Sequence, residues 1–323
     1  MIHLITFSVL YIGGFERAKL NGTYTMKVVV KGEINHLVIN LPLPVDFHGC
    51  TTYQKVLSMD YSISPEPQGK TIVRMKEGKF LKVEYGRLSQ RVCVIKVNFL
   101  VERGIRIDSL PDDMPYEQIP QGSEGNEKIN GEIISLAKNL SKGIYTIKGI
   151  SQRIVYYIAN NIRYYTKGNE DAVNTFKDKS GNCMGISALA VSMFRCSGVE
   201  SRLVAGISLE DSKEYIFRKG NAVYTIRASS FEGLHQWCEV KLPTCGWAEL
   251  EPQGNSLFVP VGYIRLATGE EGVDYPHLIV YSYRGEPYVQ YLLSVEGSIT
   301  RVSSQLMAKR IEIKGIKPVM VVY

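Results

Sequence analysis

An apolar stripe near the middle of the chain constrains its fold more than any other feature. Isoleucines recur there at spacings of 3, 4, 4 and 4 residues, which places their side chains on one face of an α-helix. They are Ile147, Ile150, Ile154, Ile158 and Ile162. A shorter helix is predicted around residues 133–140 and ends near Gly143. A third begins near Cys183 and ends at Gly198, because glycine readily adopts the left-handed conformation that terminates helices.

Strand-forming segments lie on both sides of these helices. Residues 20–107 contain short β-rich runs between turn signals, a pattern typical of a β-sandwich. Two of these runs, 23–30 and 34–41, are predicted to flank a turn at 31–33. Further strands are predicted at 201–209, 222–228, 234–242, 247–250, 277–283, 288–294 and 310–323, whereas the charged segment 211–220 is predicted to be a surface loop.

The order of these segments predicts an α+β protein. We expect a β-sandwich domain at 1–110, a linker rich in Pro, Gly and acidic residues at 111–128, and a core of helices on an antiparallel sheet at 129–260. A β-rich C-terminal region is expected at 261–323.

The composition disfavours several classes of function. Of the 323 residues, 45% are hydrophobic and 22% are charged, and the net charge of +6 includes no basic run, so nucleic-acid binding is not expected. No run of about 18 apolar residues occurs, so a membrane span is not expected either. The apolar segment 1–12 lacks a basic stretch and a clear cleavage site. It is expected to form a buried strand or an ordered arm, with a short signal sequence as the alternative.

The six cysteines show no CxxC pair and do not form a disulfide framework. Reduced thiols are therefore expected, which slightly favours a cytoplasmic location. Cys238 and Cys245, on either side of a predicted hairpin turn, are expected to be buried thiols, and a disulfide between them would require an oxidising compartment. No cofactor is predicted. A zinc site formed by Cys183, His235, Cys238 and Cys245 is disfavoured, because strand alternation points His235 and Cys238 to opposite faces.

Cys183 is the candidate nucleophile. It lies where the small-residue loop before it runs into an apolar helical segment, with Gly181 allowing a tight turn. A helix N-terminus stabilises the negative charge of a thiolate and can offer backbone N–H groups to an oxyanion. A thiol in this position is therefore suited to attack a carbonyl carbon.

A histidine and two acids on later strands complete the candidate site. His235 is predicted to share one strand face with Trp237 and Glu239, because alternate residues of a strand point the same way. Glu249 and Glu251 share a face of the next strand. Either acid could hold the second imidazole nitrogen, which is the task of the third member of a catalytic triad.

The sequence around these residues resembles the core of the transglutaminase-like superfamily. The family pattern runs Gly-x-Cys, Gly-hydrophobic-x-(Ala/Ser)-Arg, His-Ala-Trp-x-Glu-Val and Gly-Trp-x-x-x-Asp-Pro. The matching segments are Gly181-Asn182-Cys183, Gly198-Val199-Glu200-Ser201-Arg202, His235-Gln236-Trp237-Cys238-Glu239-Val240 and Gly246-Trp247-Ala248-Glu249-Leu250-Glu251-Pro252. Residues 158–165 also look like the helix that the family places before its nucleophile. The resemblance covers roughly residues 128 to 253 and implies a papain-like core.

By this resemblance Cys183 is the nucleophile, His235 is the general base and acid, and Glu251 is the acid that orients the histidine. The family usually has Asp before the proline, so Glu251 carries an extra methylene, and Glu249 is the alternative on the same face. Trp237 is expected to pack rather than to react. Gln236, where the family has Ala, is expected to face away from the site.

The resemblance implies acyl transfer at an amide or peptide bond through a thioester, with a peptide or protein as the substrate. Hydrolysis is preferred to crosslinking transamidation, because no acidic run indicates the calcium site of a calcium-activated crosslinker. A degenerate core that only binds a peptide or a partner is the third alternative. Segment 210–220 and the strand after it are expected to overhang the cleft and set specificity. The sequence does not indicate the oligomeric state.

Overall fold

The structure is a computed structural model and describes residues 9–106, 130–210, 213–219, 222–228, 231–269, 277–311 and 319–322. The predicted linker at 111–128 and most of the apolar segment 1–12 lie outside these ranges. The N-terminal strands are β1 (Val9–Leu43), β2 (Phe47–His48), β3 (Thr52–Ser64), β4 (Gly69–Arg74), β5 (Lys79–Tyr85) and β6 (Leu88–Arg106).

The middle of the described chain carries the helices. They are α1 (Gly131–Ser141), α2 (Ile147–Asn161), α3 (Ala172–Asp178) and α4 (Cys183–Cys196), with the strands β7 (Arg163–Asn169) and β8 (Ser180–Gly181) between them. The strands that follow are β9 (Ser201–Glu210), β10 (Lys213–Lys219), β11 (Ala222–Ala228), β12 (Phe231–Leu242), β13 (Gly246–Leu250), β14 (Asn255–Ser256), β15 (Tyr263–Gly269), β16 (His277–Ile311) and β17 (Val319–Val322).

The largest sheet has nine strands, and β1 pairs with four of the others. Alternate residues of β1 from Glu16 to Val30 are buried, so one face of the strand turns to the core. The prediction of two strands around a turn at 31–33 is wrong. Both halves pair with β16 instead of with each other, and the strand continues through a register shift between Lys31 and Glu33. Gly32 lies at this shift with a φ of 94°, a value that suits glycine.

The N-terminal and C-terminal regions share this sheet. The antiparallel β1–β16 pairing runs from Val9 opposite Ile311 to Asn40 opposite His277. The β-rich character of the C-terminal part is confirmed, with one continuous strand where two were predicted at 277–283 and 288–294. Strands from both ends of the chain therefore belong to one hydrogen-bonded sheet. The β-sandwich and the domain boundaries remain predictions.

The second sheet has four strands in the order β13-β12-β9-β15, with antiparallel neighbours throughout. The strands predicted at 201–209, 234–242 and 247–250 are confirmed as β9, β12 and β13. The turn between β12 and β13 closes at Gly246, whose φ is 87°. β15 joins this sheet although it lies beyond the core boundary predicted at residue 260.

The helices pack on this sheet as an α+β protein requires. All five isoleucines of the apolar stripe are buried in one cluster with Cys238 and Val240 of β12. The predicted helix ends at Gly143 and Gly198 are confirmed by φ values of 72° and 80°. α3 was not predicted, although Asp171 marks its start by accepting a hydrogen bond from the Asn174 N–H at 2.9 Å. In the part of the chain that the structure describes, no helix combines the length and apolarity that a membrane span needs.

Segment 211–220 is not a loop as predicted. Its residues Lys213–Lys219 form β10, which pairs antiparallel with β11, the strand predicted at 222–228. A charged composition indicates exposure and does not prevent strand pairing when a neighbouring strand supplies the backbone hydrogen bonds.

The expectation of reduced thiols throughout is wrong for one pair. Cys245, in the turn between β12 and β13, forms a disulfide with Cys50, which is 195 residues away in sequence. The Cys50 N–H donates to the Trp247 carbonyl oxygen at 2.8 Å, so the two loops already lie side by side. Cys238 is a buried free thiol, as predicted. Because disulfides persist mainly in oxidising compartments, the cytoplasmic location inferred from reduced thiols loses its support.

Candidate active site

Cys183 is the first residue of α4, as predicted. Asn182 caps this helix: its side-chain oxygen accepts hydrogen bonds from the N–H groups of Met184 at 3.0 Å and Gly185 at 3.2 Å. The Asn182 amide in turn donates to Glu170 at 3.3 Å. The half-buried sulfur therefore lies at the positive end of the helix dipole. The Met184 and Gly185 N–H groups are not free to hold an oxyanion, because they are bound to the cap.

Close packing on both sides holds the start of α4. A Cβ added at Gly185 would lie 2.2 Å from the backbone oxygen of Asn169, so only glycine fits there. The same oxygen accepts a hydrogen bond from the Asn182 N–H at 3.1 Å. Further along the helix, the Ser187 hydroxyl donates to the carbonyl oxygen of Gln236 at 2.9 Å. This bond ties α4 to β12 beside the candidate histidine.

His235 lies on β12 and contacts the acid that the resemblance indicates. Its Nε2 is 2.7 Å from Oε2 of Glu251, and both side chains are buried. The Cys183 sulfur lies close enough to the ring to help raise its pKa. Because Nε2 is engaged by Glu251, Nδ1 is the nitrogen left for the sulfur. The structure therefore brings the three predicted residues together, with the imidazole between the thiol and the carboxylate.

These contacts decide the charge of the imidazole. Burial by itself would lower the pKa of His235, because it disfavours the charged ring. The negative charge of Glu251, its hydrogen bond to the ring and the neighbouring Cys183 sulfur outweigh burial, and the pKa rises from 6.5 to about 9. His235 is thus an imidazolium at neutral pH.

Both oxygens of Glu251 are held in place. Oε2 also accepts a hydrogen bond from the Tyr263 hydroxyl at 3.1 Å, and Oε1 accepts from the Gln253 N–H at 3.2 Å. The backbones of Glu251 and Asn255 exchange two hydrogen bonds of 2.9 Å. The side chain therefore reaches His235 despite its extra methylene.

Tyr263 is a site residue that the sequence did not reveal. It is buried on β15, and its ring meets that of His235 edge-on with the centroids 5.0 Å apart. It lies in the region assigned to the C-terminal part, and no motif or spacing marks it. Only the pairing of β15 with β9 brings it to the histidine.

Glu249 accepts hydrogen bonds from a different group of residues. Its Oε1 accepts from Trp237 Nε1 at 3.2 Å, and its Oε2 accepts from Thr52 at 2.5 Å and from Arg103 at 2.9 Å. Burial would raise the pKa of Glu249, but the positive charges of Arg103 and Arg265 lower it. Of the two acids left open by the sequence, Glu251 contacts His235 and Glu249 binds arginines.

The flanking residues of β12 lie as alternation predicted. Trp237 stacks beside His235 with the ring centroids 6.1 Å apart and is fully buried. Gln236 points to the other face, where the β12 residues of the helix-packed cluster lie. Trp237 therefore packs in the interior and binds an acid through its indole N–H.

Tyr164 is a second residue near the sulfur that the sequence did not single out. It is half-buried on β7. Burial first, and then the negative charges of Cys183 and Glu251, raise its pKa to about 12. The phenol therefore keeps its proton at neutral pH and can donate a hydrogen bond near the thiol.

The zinc alternative loses one of its four ligands. Cys245 is bonded to Cys50, so its sulfur is not available to a metal. His235 Nε2 is engaged by Glu251. Within the described ranges, no group of three or more His, Cys, Asp or Glu side chains is arranged to hold an ion.

Comparison with known proteins finds similarity in the middle of the chain. Residues 134–252 match the family model described as the transglutaminase-like superfamily. The uncharacterised protein YebA from Bacillus subtilis is 26% identical over 155 residues, which are 46% of this chain and 19% of YebA. The chain thus spans about a fifth of this relative's length.

A solved structure shares the fold. The crystal structure of a candidate cysteine protease from Cytophaga hutchinsonii has a TM-score of 0.59 at 12% identity, over 92% of this chain and 94% of that chain. The periplasmic domain of TgpA from Pseudomonas aeruginosa aligns with a TM-score of 0.32 at 16% identity, over 70% of this chain and 86% of that chain. Residues 134–252 therefore form a core similar to the transglutaminase-like superfamily.

Proposed function

We propose that this chain is an amide or peptide hydrolase with Cys183 as the nucleophile, His235 as the acid and base, and Glu251 as the orienting acid. The sulfur attacks the carbonyl carbon, and the His235 imidazolium protonates the departing amine, which leaves a thioester. Neutral His235 then takes a proton from water, and the hydroxide attacks the thioester carbon. Collapse releases the carboxylic acid product and restores the thiolate–imidazolium pair.

The observation that carries the proposal is the position of His235 between the two other groups. Its Nε2 meets Glu251 at 2.7 Å, and the Cys183 sulfur lies close enough to the ring to help raise its pKa. A buried histidine without these partners would be neutral, because burial favours the uncharged ring. The arrangement supports proton transfer between the sulfur, the imidazole and the leaving amine.

Two donors near the sulfur fit the oxyanion that forms during attack. The Cys183 N–H is at the first position of a helix and has no partner within that helix. The Tyr164 hydroxyl is close enough to feel the charge of the sulfur and stays protonated at neutral pH. Preorganised donors of this kind typically contribute about 3 kcal/mol each to transition-state stabilisation.

Alkylation with iodoacetamide at pH 5.5 tests the activated thiol. Cys183 should react faster than Cys196, because both sulfurs are half-buried but burial raises the pKa of Cys196. Peptide mass spectrometry of one sample measures both rates, so Cys196 is an internal control. Equal rates would contradict an activated Cys183 and favour the degenerate, peptide-binding alternative.

Product analysis decides between water and an amine as the acceptor. The wild type and Cys183→Ala are incubated with a library of amides and peptides, with and without an added primary amine. Release of free acid and amine only in the wild type supports hydrolysis. Incorporation of the added amine in preference to water would replace hydrolysis by transamidation, while leaving the roles of the three residues in place.

A further inference from the structure

A cavity of about 510 Å³ lies away from the candidate active site, between the two main sheets. One wall is the turn between β4 and β5, which is bound to β15 because the Thr268 N–H donates to the Glu77 carbonyl oxygen at 2.8 Å. The opposite wall is the segment between β1 and β2. Neither Cys183 nor His235 lines it.

The lining of this cavity is mainly cationic. Five basic side chains face two acidic ones, Asp46 and Glu77. The basic residues are Arg74, Lys76, Lys79, Arg202 and Arg265. Asp46 is partly engaged, since its Oδ1 accepts a hydrogen bond from the Val56 N–H at 2.7 Å. A cavity with this balance attracts negative charge.

Arg265 is a rigid, buried part of the wall. Its side chain is 5% exposed, and its guanidinium binds Glu239 through two hydrogen bonds of 2.7 and 2.8 Å. Its backbone is held by Gln54, which accepts from the Arg265 N–H at 2.8 Å and donates to the Arg265 carbonyl oxygen at 2.8 Å. The ring of Phe47 covers the guanidinium at 4.1 Å. The position of this positive charge is therefore fixed before any ligand arrives.

Arg202 lines the cavity together with Arg265 and can donate hydrogen bonds to a ligand. Its Nε donates to Glu239 at 2.5 Å, and its guanidinium lies 3.9 Å from the centre of the Trp247 ring. Among the described residues, its two terminal nitrogens form no hydrogen bond. Its side chain is 29% exposed, so these nitrogens can meet a molecule in the cavity.

Arg202 and Arg265, which line the cavity, belong to a cluster of ion pairs whose charges do not balance. Three guanidinium groups, those of Arg103, Arg202 and Arg265, share the two carboxylates of Glu239 and Glu249. One nitrogen of Arg103 is buried without a hydrogen-bond partner. An uncompensated positive charge away from water is costly, and an anion nearby would offset it.

We propose that this cavity binds a small molecule bearing a carboxylate or phosphate group, with the open nitrogens of Arg202 as the main donors and Lys79 as a second cation. Planar guanidinium groups recognise the oxygens of both anions through paired hydrogen bonds. The site does not depend on catalysis at Cys183. Trp237 connects the two regions, because it stacks on His235 and donates to Glu249, which binds Arg265.

Isothermal titration calorimetry at low ionic strength tests this site with two probes, inorganic phosphate and succinate. The protein is Cys183→Ala, so that a failure of the proposed hydrolysis leaves the result intact. Sodium chloride at matched ionic strength controls for screening. We expect a dissociation constant of about 1 mM or tighter for at least one probe, and the tighter probe identifies the preferred anion.

Variants locate the binding. Arg202→Gln and Lys79→Gln should each weaken binding about tenfold, because a hydrogen bond to a charged group is lost. Arg87→Gln is the matched control, since Arg87 is exposed, pairs with Glu33 and lies outside the cavity. Thermal unfolding confirms that each variant is folded. The proposal would be overturned if all three variants, including the control, bound the probe with the same affinity, or if the parent protein bound neither probe.

Discussion

Replacing Glu251 with Gln removes one charge and almost no volume. The carboxylate is buried 2.7 Å from His235 Nε2 and is the strongest influence that favours the imidazolium. In Glu251→Gln the burial of the His235 ring still lowers its pKa, while the negative charge of Glu251, which raised it, is lost. The pKa of His235 should therefore fall, and the histidine should be neutral at pH 7.

The structure gives the size of this effect. A rise of the pKa of His235 from 6.5 to about 9 corresponds to about 3 kcal/mol in favour of the charged ring. Burial acts in the opposite direction, so the contribution of Glu251 and Cys183 together exceeds that value. With only the influence of Cys183 left to oppose burial, we expect the pKa of His235 to fall by at least about 2 pH units.

Nuclear magnetic resonance of the imidazole nitrogens follows the titration directly. The comparison needs the wild type, Glu251→Gln and a matched control, Glu200→Gln, whose exposed carboxylate binds Lys241 elsewhere. The control should titrate like the wild type. A midpoint in Glu251→Gln within half a pH unit of the wild type would show that Glu251 does not set the charge of His235, and the proposed orienting role would fail.

Glu251→Gln should also lower the stability of the protein in a pH-dependent way. The pKa of His235 is higher in the folded protein than in the unfolded chain, so protonation stabilises the fold fully below about pH 6.5. This stabilisation is lost as the pH rises through about 9. The free energy of unfolding, measured with urea, should therefore differ most between wild type and Glu251→Gln near pH 6, with a smaller difference above pH 9.

Four further substitutions, of which Gly131→Ala is the control for Gly206→Ala, test separate parts of the structure. Tyr164→Phe should lower the turnover of a cleavable amide about 100-fold while leaving the fold intact, if its protonated hydroxyl holds the oxyanion; unchanged turnover would exclude that role. Gly206→Ala should destabilise the protein by about 2 kcal/mol in denaturant unfolding, because the new Cβ would lie 2.1 Å from the Ile264 oxygen. Gly131→Ala, where nothing lies within 4 Å, should have little effect. Cys50→Ser should lower the free energy of unfolding by about 2–5 kcal/mol, because the disulfide closes a loop across 195 positions. The wild type under reducing conditions should show the same loss, and a wild type that is insensitive to reductant would contradict it.

The helical part of the fold followed from local pattern. The isoleucine stripe predicted α2 and its buried face, and glycines marked the ends of α1 and α4. The hairpin formed by β12 and β13 followed from alternation and turn residues. α3 was missed because its seven residues are too few for a periodic signal.

The large sheet could not be read from the sequence in the same way. The residues at 31–33 carry a normal turn signal, yet β1 continues through them because β16, more than 240 residues later, pairs with both halves. A turn signal states a local preference. The pairing partner decides whether that preference is used.

For the candidate site, the sequence alone determined which groups can react. It gave a thiol at a helix start, a histidine and two acids on adjacent strands, and an order of motifs that resembles one superfamily. These features are local, since helix position and strand alternation depend on near neighbours in the chain.

Only the tertiary structure decided how those groups are used. It paired His235 with Glu251 and committed Glu249 to arginines from distant strands. It brought Tyr263 to the carboxylate from beyond the predicted core, and it joined Cys50 to Cys245. Each of these contacts links residues whose separation in space is set by sheet order and packing, which no short stretch of sequence encodes.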